Sequence, residues 1–127
     1  MKIIYVAGPY RAKTEWQVLQ NVRMAETVAL NVWTNGGVAI CPHKNTERFG
    51  GAAGLDDNDW IKGDLEIIKR CDAMIVCPHW KESEGTKAEI KLAKKLNIPI
   101  FFWEYYEYNE NFNIEKTWGA FLKFLKS

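Results

Sequence analysis

Residues 73–103 read AMIVCPHWKESEGTKAEIKLAKKLNIPIFFW, and this stretch decides the fold. It opens on Ala73 to Cys77, a run continuous in apolar residues, and closes on a second such run, Ile98 to Trp103. A strand covered on both faces has no solvated side, so it reads as unbroken apolar sequence. Between the two runs, from Thr86 to about Leu96, apolar residues recur with helical period. Strand, helix and strand in that order form a parallel crossover unit. Outward from it lie two more β-rich runs, Lys2 to Ala7 and Val38 to Cys41. The helix expected between those begins near Thr14, where Thr14 and Gln17 have capping-box spacing. It carries Leu19, Val22, Ala25, Val28, Ala29 and Val32 on one side and stops at Asn35-Gly36-Gly37. Another helix is expected from Asp57 or Asp59 to Arg70. A last one runs from Ile114 to Lys126, with Ile114, Trp118, Phe121, Leu122 and Leu125 on one face.

The alternation predicts an α/β protein: a doubly wound parallel sheet in three α/β/α layers, one domain spanning residues 1–127. In such sheets ligands sit beyond the carboxyl ends of the strands, where strand order reverses. Two loops therefore matter most, Gly8 to Lys13 and Pro78 to Gly85. Asn45 to Asp59, rich in glycine and polar residues, is long for a connection and reads as a lid or binding loop. The tract from Glu104 to Asn113 is aromatic and acidic.

Composition narrows the function classes. Seventeen lysines and arginines stand against sixteen aspartates and glutamates. That balance supplies no field for holding a nucleic-acid polymer. A small anion held by one or two local groups is compatible with it. No apolar run approaches the length of a bilayer span, and Met1 to Val6 is too short for a signal peptide. The three cysteines, Cys41, Cys71 and Cys77, lie in or beside apolar runs without zinc-site spacing. They read as buried thiols of a reducing, cytoplasmic compartment. Neither His43 nor His79 has a spacing partner, so no metal and no cofactor is expected.

Two carboxylates break the helical pattern. Turning about 100° per residue from Glu89, Ala93 falls near 40°, Leu96 near −20°, Leu92 near −60° and Ile90 near 100°. Lys87, Lys91, Lys94 and Lys95 all fall opposite. Glu89 thus projects from the middle of the apolar stripe, in the first turn of its helix. Burying a carboxylate is costly unless something compensates it. One compensation is structural: Thr86-Lys87-Ala88-Glu89 has capping-box spacing, which would fold the glutamate back onto the Thr86 amide. The other is chemical, since inward acids serve as nucleophiles or proton carriers. Asp64 repeats the anomaly on a helix whose apolar side is Ile61, Leu65 and Ile68. A solvated helix edge is its bland reading. Around the two acids stand groups suited to phosphate: Gly8 and Pro9 at the strand end, Arg11, and Ser83 with Gly85 ahead of a helix. Tyr5, Tyr10 and Trp60 are aromatic candidates for flanking a base, and His43 lies at the end of the second strand on the same side.

Taken in order, Ile4-Tyr5-Val6-Ala7-Gly8-Pro9, Cys41-Pro42-His43, Asp64-Leu65 eight residues before Asp72, and Ser83-Glu84-Gly85-Thr86-Lys87-Ala88-Glu89 resemble the nucleoside 2-deoxyribosyltransferase superfamily. The likeness spans roughly residues 2 to 100 and is similar to uncharacterised, often phage-borne members. It implies a flavodoxin-like fold and cleavage of an N-glycosidic bond to deoxyribose. It also implies roles: Glu89 as the nucleophile that forms a glycosyl-enzyme, Asp64 assisting at the base or sugar, and Tyr5 orienting the nucleophile. Ser83 stands where transferases acting on free nucleosides have an aspartate, as in related deoxynucleoside 5′-monophosphate N-hydrolases. Arg11 matches an arginine of the hydrolases' phosphate site. The resemblance thereby favours hydrolysis of a deoxynucleoside monophosphate; base exchange and nucleotide binding without turnover are the alternatives. It further implies a homodimer or higher homo-oligomer, with Asn113 as the candidate contributed to a neighbouring subunit's site. There are departures: one extra residue separates Asp64 from Glu89, and Ile90-Lys91 replaces the family's glycine after the nucleophile.

Overall fold

Alternate residues of the first strand, β1 (Ile3–Ala7), enter different cores. Ile4 and Val6 join one buried cluster, Tyr5 and Ala7 the other. That is why the strand reads as continuously apolar: each face of the sheet is covered by helices. The computed structural model describes residues 1–103 and 117–127. After β1 come α1 (Glu15–Thr34), β2 (Val38–Ile40), the short α2 (Pro42–Asn45), α3 (Asp57–Ile68), β3 (Ala73–Val76), α4 (Glu84–Lys95), β4 (Ile100–Phe102) and α5 (Trp118–Lys126). Three-residue 3-10 turns at Ala52–Gly54 and Trp80–Glu82 punctuate the connections.

The four strands form one parallel sheet in the order β2-β1-β3-β4. Helices α1 and α5 pack on one face through Ala25, Val28, Val32 and Phe121. Helices α3 and α4 cover the other through Ile68, Ile90 and Ala93. This is the expected doubly wound, flavodoxin-like α/β architecture. The chain leaves β1 to build β2 on one side and returns to build β3 on the other. The switch point therefore lies between the carboxyl ends of β1 and β3. The Lys2 ammonium closes the far end of this structure, donating to the Phe124 carbonyl at 2.8 Å and to the Ser127 hydroxyl at 3.0 Å.

Several boundaries differ from the sequence reading, each for a physical reason. Strand β4 begins at Ile100 rather than Ile98, because the Ile98 amide is spent on the Ala93 carbonyl at the end of α4. Pro99 has no N–H, but its carbonyl still accepts from Met74. Helix α3 ends at Ile68, two residues short of Arg70, where the Arg70 amide turns back to Ile67. Its N-cap is Asp56, in a reciprocal capping box with Asp59. Ile61, expected on the buried side of α3, is exposed, as are Leu19 of α1 and Leu96 beyond α4. Helix α1 is capped by Thr14 as expected, its hydroxyl accepting from the Gln17 amide, and its chain reverses through Gly36 at φ 89°. Residues 114–116 of the last expected helix, the tract 104–113 and Asn113 lie outside the described residues.

Candidate active site

The central strand positions the first element of the site. Tyr5 is wholly buried on the α3/α4 face of β1, and its hydroxyl donates a hydrogen bond to Glu89 Oε2. Glu89 is half-buried in α4, on the inward side that its helical projection predicts. The capping-box explanation of this glutamate is overturned. The N-cap of α4 is Ser83, not Thr86: its hydroxyl accepts from the Thr86 amide at 3.2 Å and from the Thr86 hydroxyl at 2.9 Å. The helix starts at Glu84, two residues earlier than expected, so Glu89 lies beyond the reach of a cap and turns to Tyr5 instead.

Asp64, half-buried in α3, is the second acid. Burial raises its carboxyl to about 6. Glu89 is raised to about 7, chiefly by burial and further by the negative charge of Asp64, while the Tyr5 hydrogen bond pulls the other way. The Tyr5 phenol is driven upward by burial and by both carboxylates, so it stays protonated and donates. Three sequence-predicted residues from three separate elements thus converge electrostatically. Two acids that share a site and resist ionisation can hold one proton between them near neutrality.

The loop after β1 forms a second group. Gly8 is buried, and a Cβ there would lie 2.7 Å from the Cys77 Cβ and 2.9 Å from its sulfur. Close packing against the end of β3 requires the glycine, a partner that sequence reasoning did not identify. His43, in the first turn of α2, is buried, and its Nε2 meets the Pro9 carbonyl at 2.8 Å. An Nε2–H donating to that carbonyl leaves Nδ1 as an acceptor, buried and without a hydrogen-bond partner among the described residues. Burial pushes the His43 pKa down, which favours this neutral form. The Tyr10 ring stands edge-on to His43 at 5.7 Å. Tyr10 itself is exposed, and its carbonyl accepts from the Asn21 side chain of α1 at 3.1 Å.

Arg11 is exposed and ion-paired with Asp57 at the start of α3. Nothing local in the sequence signals that pair, which spans the loop and the helix. Gly85 is exposed in the first turn of α4 rather than ahead of the helix. Trp60, in α3, packs at 6.1 Å between ring centroids on Phe49 of the Asn45–Asp59 region. His79 adopts a left-handed conformation at φ 64° where the chain enters the turn before α4. Among the described residues no cluster of three metal-ligating side chains occurs, and no helix is long and apolar enough to cross a membrane. The cysteines are free; Cys77 is buried, Cys41 and Cys71 half-buried.

A family model described as a domain of unknown function (DUF7768) matches residues 2–103. The chain belongs to that family. The matched segment of this DUF7768 chain includes β1 through β4, with every acid and loop described above. No curated protein matches it. Solved structures do. A conserved protein from Enterococcus faecalis V583 aligns with TM-score 0.64 at 20% identity, over 80% of the DUF7768 chain and 62% of its own. A 2-deoxyribosyltransferase from Bacillus psychrosaccharolyticus aligns with TM-score 0.59 at 21% identity, over 94% of this chain and 95% of its own. A 2-desoxiribosyltransferase from Leishmania mexicana aligns with TM-score 0.57 at 21% identity, over 81% and 64%. The DUF7768 chain therefore spans less than two thirds of the first and third of these proteins. At such identities the likeness is one of fold.

Proposed function

We propose that the protein is an N-glycosidase that cleaves the bond between base and deoxyribose in a 2′-deoxynucleoside 5′-monophosphate. The observation that carries this reading is the half-buried Glu89 carboxyl, held by the buried Tyr5 hydroxyl beside Asp64 at the switch point of the sheet. An ionised Glu89 oxygen attacks C1′, and the electrons of the C1′–N bond leave with the base. The two acids share one proton, and in the reactive form it has passed from Glu89 to the more acidic Asp64, which then delivers it to the departing base. A carboxylate suits this step because the transition state carries positive charge on the sugar, which the anion first stabilises and then traps. Water then attacks C1′ of the glycosyl ester, releasing Glu89 and giving its proton to Asp64. The products are the free base and deoxyribose 5-phosphate. Ser83, Gly85 and the Gly8–Lys13 loop with Arg11 are the groups assigned to the phosphate, and Tyr10, His43 and Trp60 those assigned to the base. Self-association belongs to the same reading.

A second reading, base exchange on free nucleosides, is favoured by one contact. Arg11, on which the phosphate assignment leans, is already paired with Asp57. Incubating deoxynucleoside monophosphates and free deoxynucleosides with the protein, each with and without a second base, separates the two. Free base and sugar phosphate from the monophosphates are expected. An exchanged nucleoside would establish transfer, and binding without turnover would reject both enzymatic readings. Turnover unchanged in Glu89→Ala would reject the nucleophile.

A further inference from the structure

Helix α1 exposes four large apolar side chains: Trp16 at 68%, Leu19 at 42%, Leu30 at 62% and Trp33 at 53%. Scattered singly on a surface, such residues need no explanation; gathered on one face, they mark a site of contact. With Arg23 and Glu26 they occupy positions 16, 19, 23, 26, 30 and 33, steps of three and four residues in alternation. That is the a/d seam of a heptad repeat. It lies beside, and apart from, the stripe of Val22, Ala25, Val28, Ala29 and Val32 that α1 buries on the sheet. The helix thus has two apolar stripes, and among the described residues only one is packed.

The unused seam is symmetric about a point between Met24 and Ala25. Trp16 and Trp33 are equidistant from it, as are Leu19 and Leu30, and Arg23 and Glu26. We infer that this seam is the interface of a homodimer, in which two copies of α1 pack antiparallel across a two-fold axis at that point. Trp16 then faces the partner's Trp33, Leu19 faces the partner's Leu30, and Arg23 faces the partner's Glu26. The interface is isologous, as a closed dimer requires. Charge complementarity selects both direction and register. A parallel pairing would set Arg23 on the partner's Arg23 and Glu26 on the partner's Glu26. An antiparallel pairing slid by one heptad would set Leu19 on the partner's Arg23 and Trp16 on the partner's Glu26. Polar residues at seam positions commonly fix register in this way. Within one chain Arg23 lies 3.1 Å from Glu26, which also receives Lys44 at 2.8 Å. The dimer extends that alternation of sign across the axis. A near-antiparallel crossing of about 20° keeps all three layers in contact along the helix.

This inference is independent of the proposed reaction, and sedimentation equilibrium of the full chain tests it. The wild type is expected to be dimeric at tens of micromolar. Arg23→Glu and Glu26→Arg should each weaken the dimer by about tenfold or more, and the two combined should restore it. Leu19, Arg23 and Leu30 are exposed in the monomer and Glu26 is half-buried beside Lys44, so far-UV circular dichroism checks that each variant folds. Cross-linking supplies the direction: under mild oxidation Leu19→Cys with Leu30→Cys should give a reducible dimer, whereas Leu19→Cys alone should not exceed the wild-type background. A monomeric wild type would overturn the proposal. So would a dimer indifferent to both charge reversals, a combined swap that stays monomeric, or a Leu19→Cys chain that cross-links as well as the double variant.

Discussion

Tyr5 sits at the centre of the sheet with no solvent access, and among the described residues its hydroxyl answers to a single partner, Glu89. Removing that oxygen in Tyr5→Phe leaves a half-buried carboxylate without its donor, at a cost of about 1–3 kcal/mol. The hydrogen bond also favours the ionised glutamate, so its loss raises the Glu89 pKa further. If Glu89 attacks as the anion, the acidic limb of the pH–rate profile moves upward in Tyr5→Phe, a shift that a purely structural tyrosine would not produce. Steady-state rates between pH 5 and 9 measure it. Gly8 makes a different kind of demand. A methyl group there meets Cys77 at 2.7 Å, and both atoms belong to the junction of the two central strands. Gly8→Ala is expected to cost about 1–3 kcal/mol through overpacking, read as a lowered denaturation midpoint. Cys77→Ala should not rescue it, because the obstructing Cβ remains.

At the scale of the element, α4 ties stability to the proposed recognition of phosphate through one residue. Ser83 caps the helix by accepting from Thr86, and aspartate caps as well as serine does. Ser83→Asp is therefore expected to keep the thermal midpoint while weakening phosphate-bearing ligands more than free nucleosides. Calorimetry on both ligand classes checks it, and equal losses would remove the basis for the monophosphate preference. The same helix shows what was legible in the sequence. Its period of 3.6 residues placed Glu89 inward, because Ile90 and Ala93 do bury and the lysines do not. Its start was misread, because Ser83-Glu84-Gly85 looks like the end of a loop and Thr86 has the spacing of a cap. The β-α-β order was legible from apolar runs alone. Long-range pairs were not: Arg11 with Asp57, His43 with Pro9 and Gly8 with Cys77 each join segments that only the sheet brings together. Periodicity also misplaced Ile61 and Leu96, since a helical projection says which way a side chain points but not how far its neighbours reach.

For the whole molecule, the two acids are a cost in stability that depends on pH. Both carboxyls ionise less readily in the fold than in the unfolded chain, Glu89 moving from 4.5 to about 7 and Asp64 from 3.8 to about 6. Their contribution to stability is fully present below the unfolded values and is lost as pH rises through 6 and 7. For Glu89 alone that loss is on the order of 3 kcal/mol. Glu89→Gln keeps an acceptor for the Tyr5 hydroxyl and carries no charge. It should therefore denature later than the wild type at pH 8 and nearly together with it at pH 4, in urea titrations at the two values.

The Lys2 contact with the last turn of α5 has a consequence for protein engineering. Because it sets residue 2 against residues 124 and 127, a short glycine-serine bridge can join the two segments, and the chain can be opened instead at the exposed Gly50–Gly51 tip. Such a circular permutant is made with α3, β3 and α4 first and β1 only after α5. Its refolding rate, set beside that of the parent, would report whether the sheet must nucleate on β1.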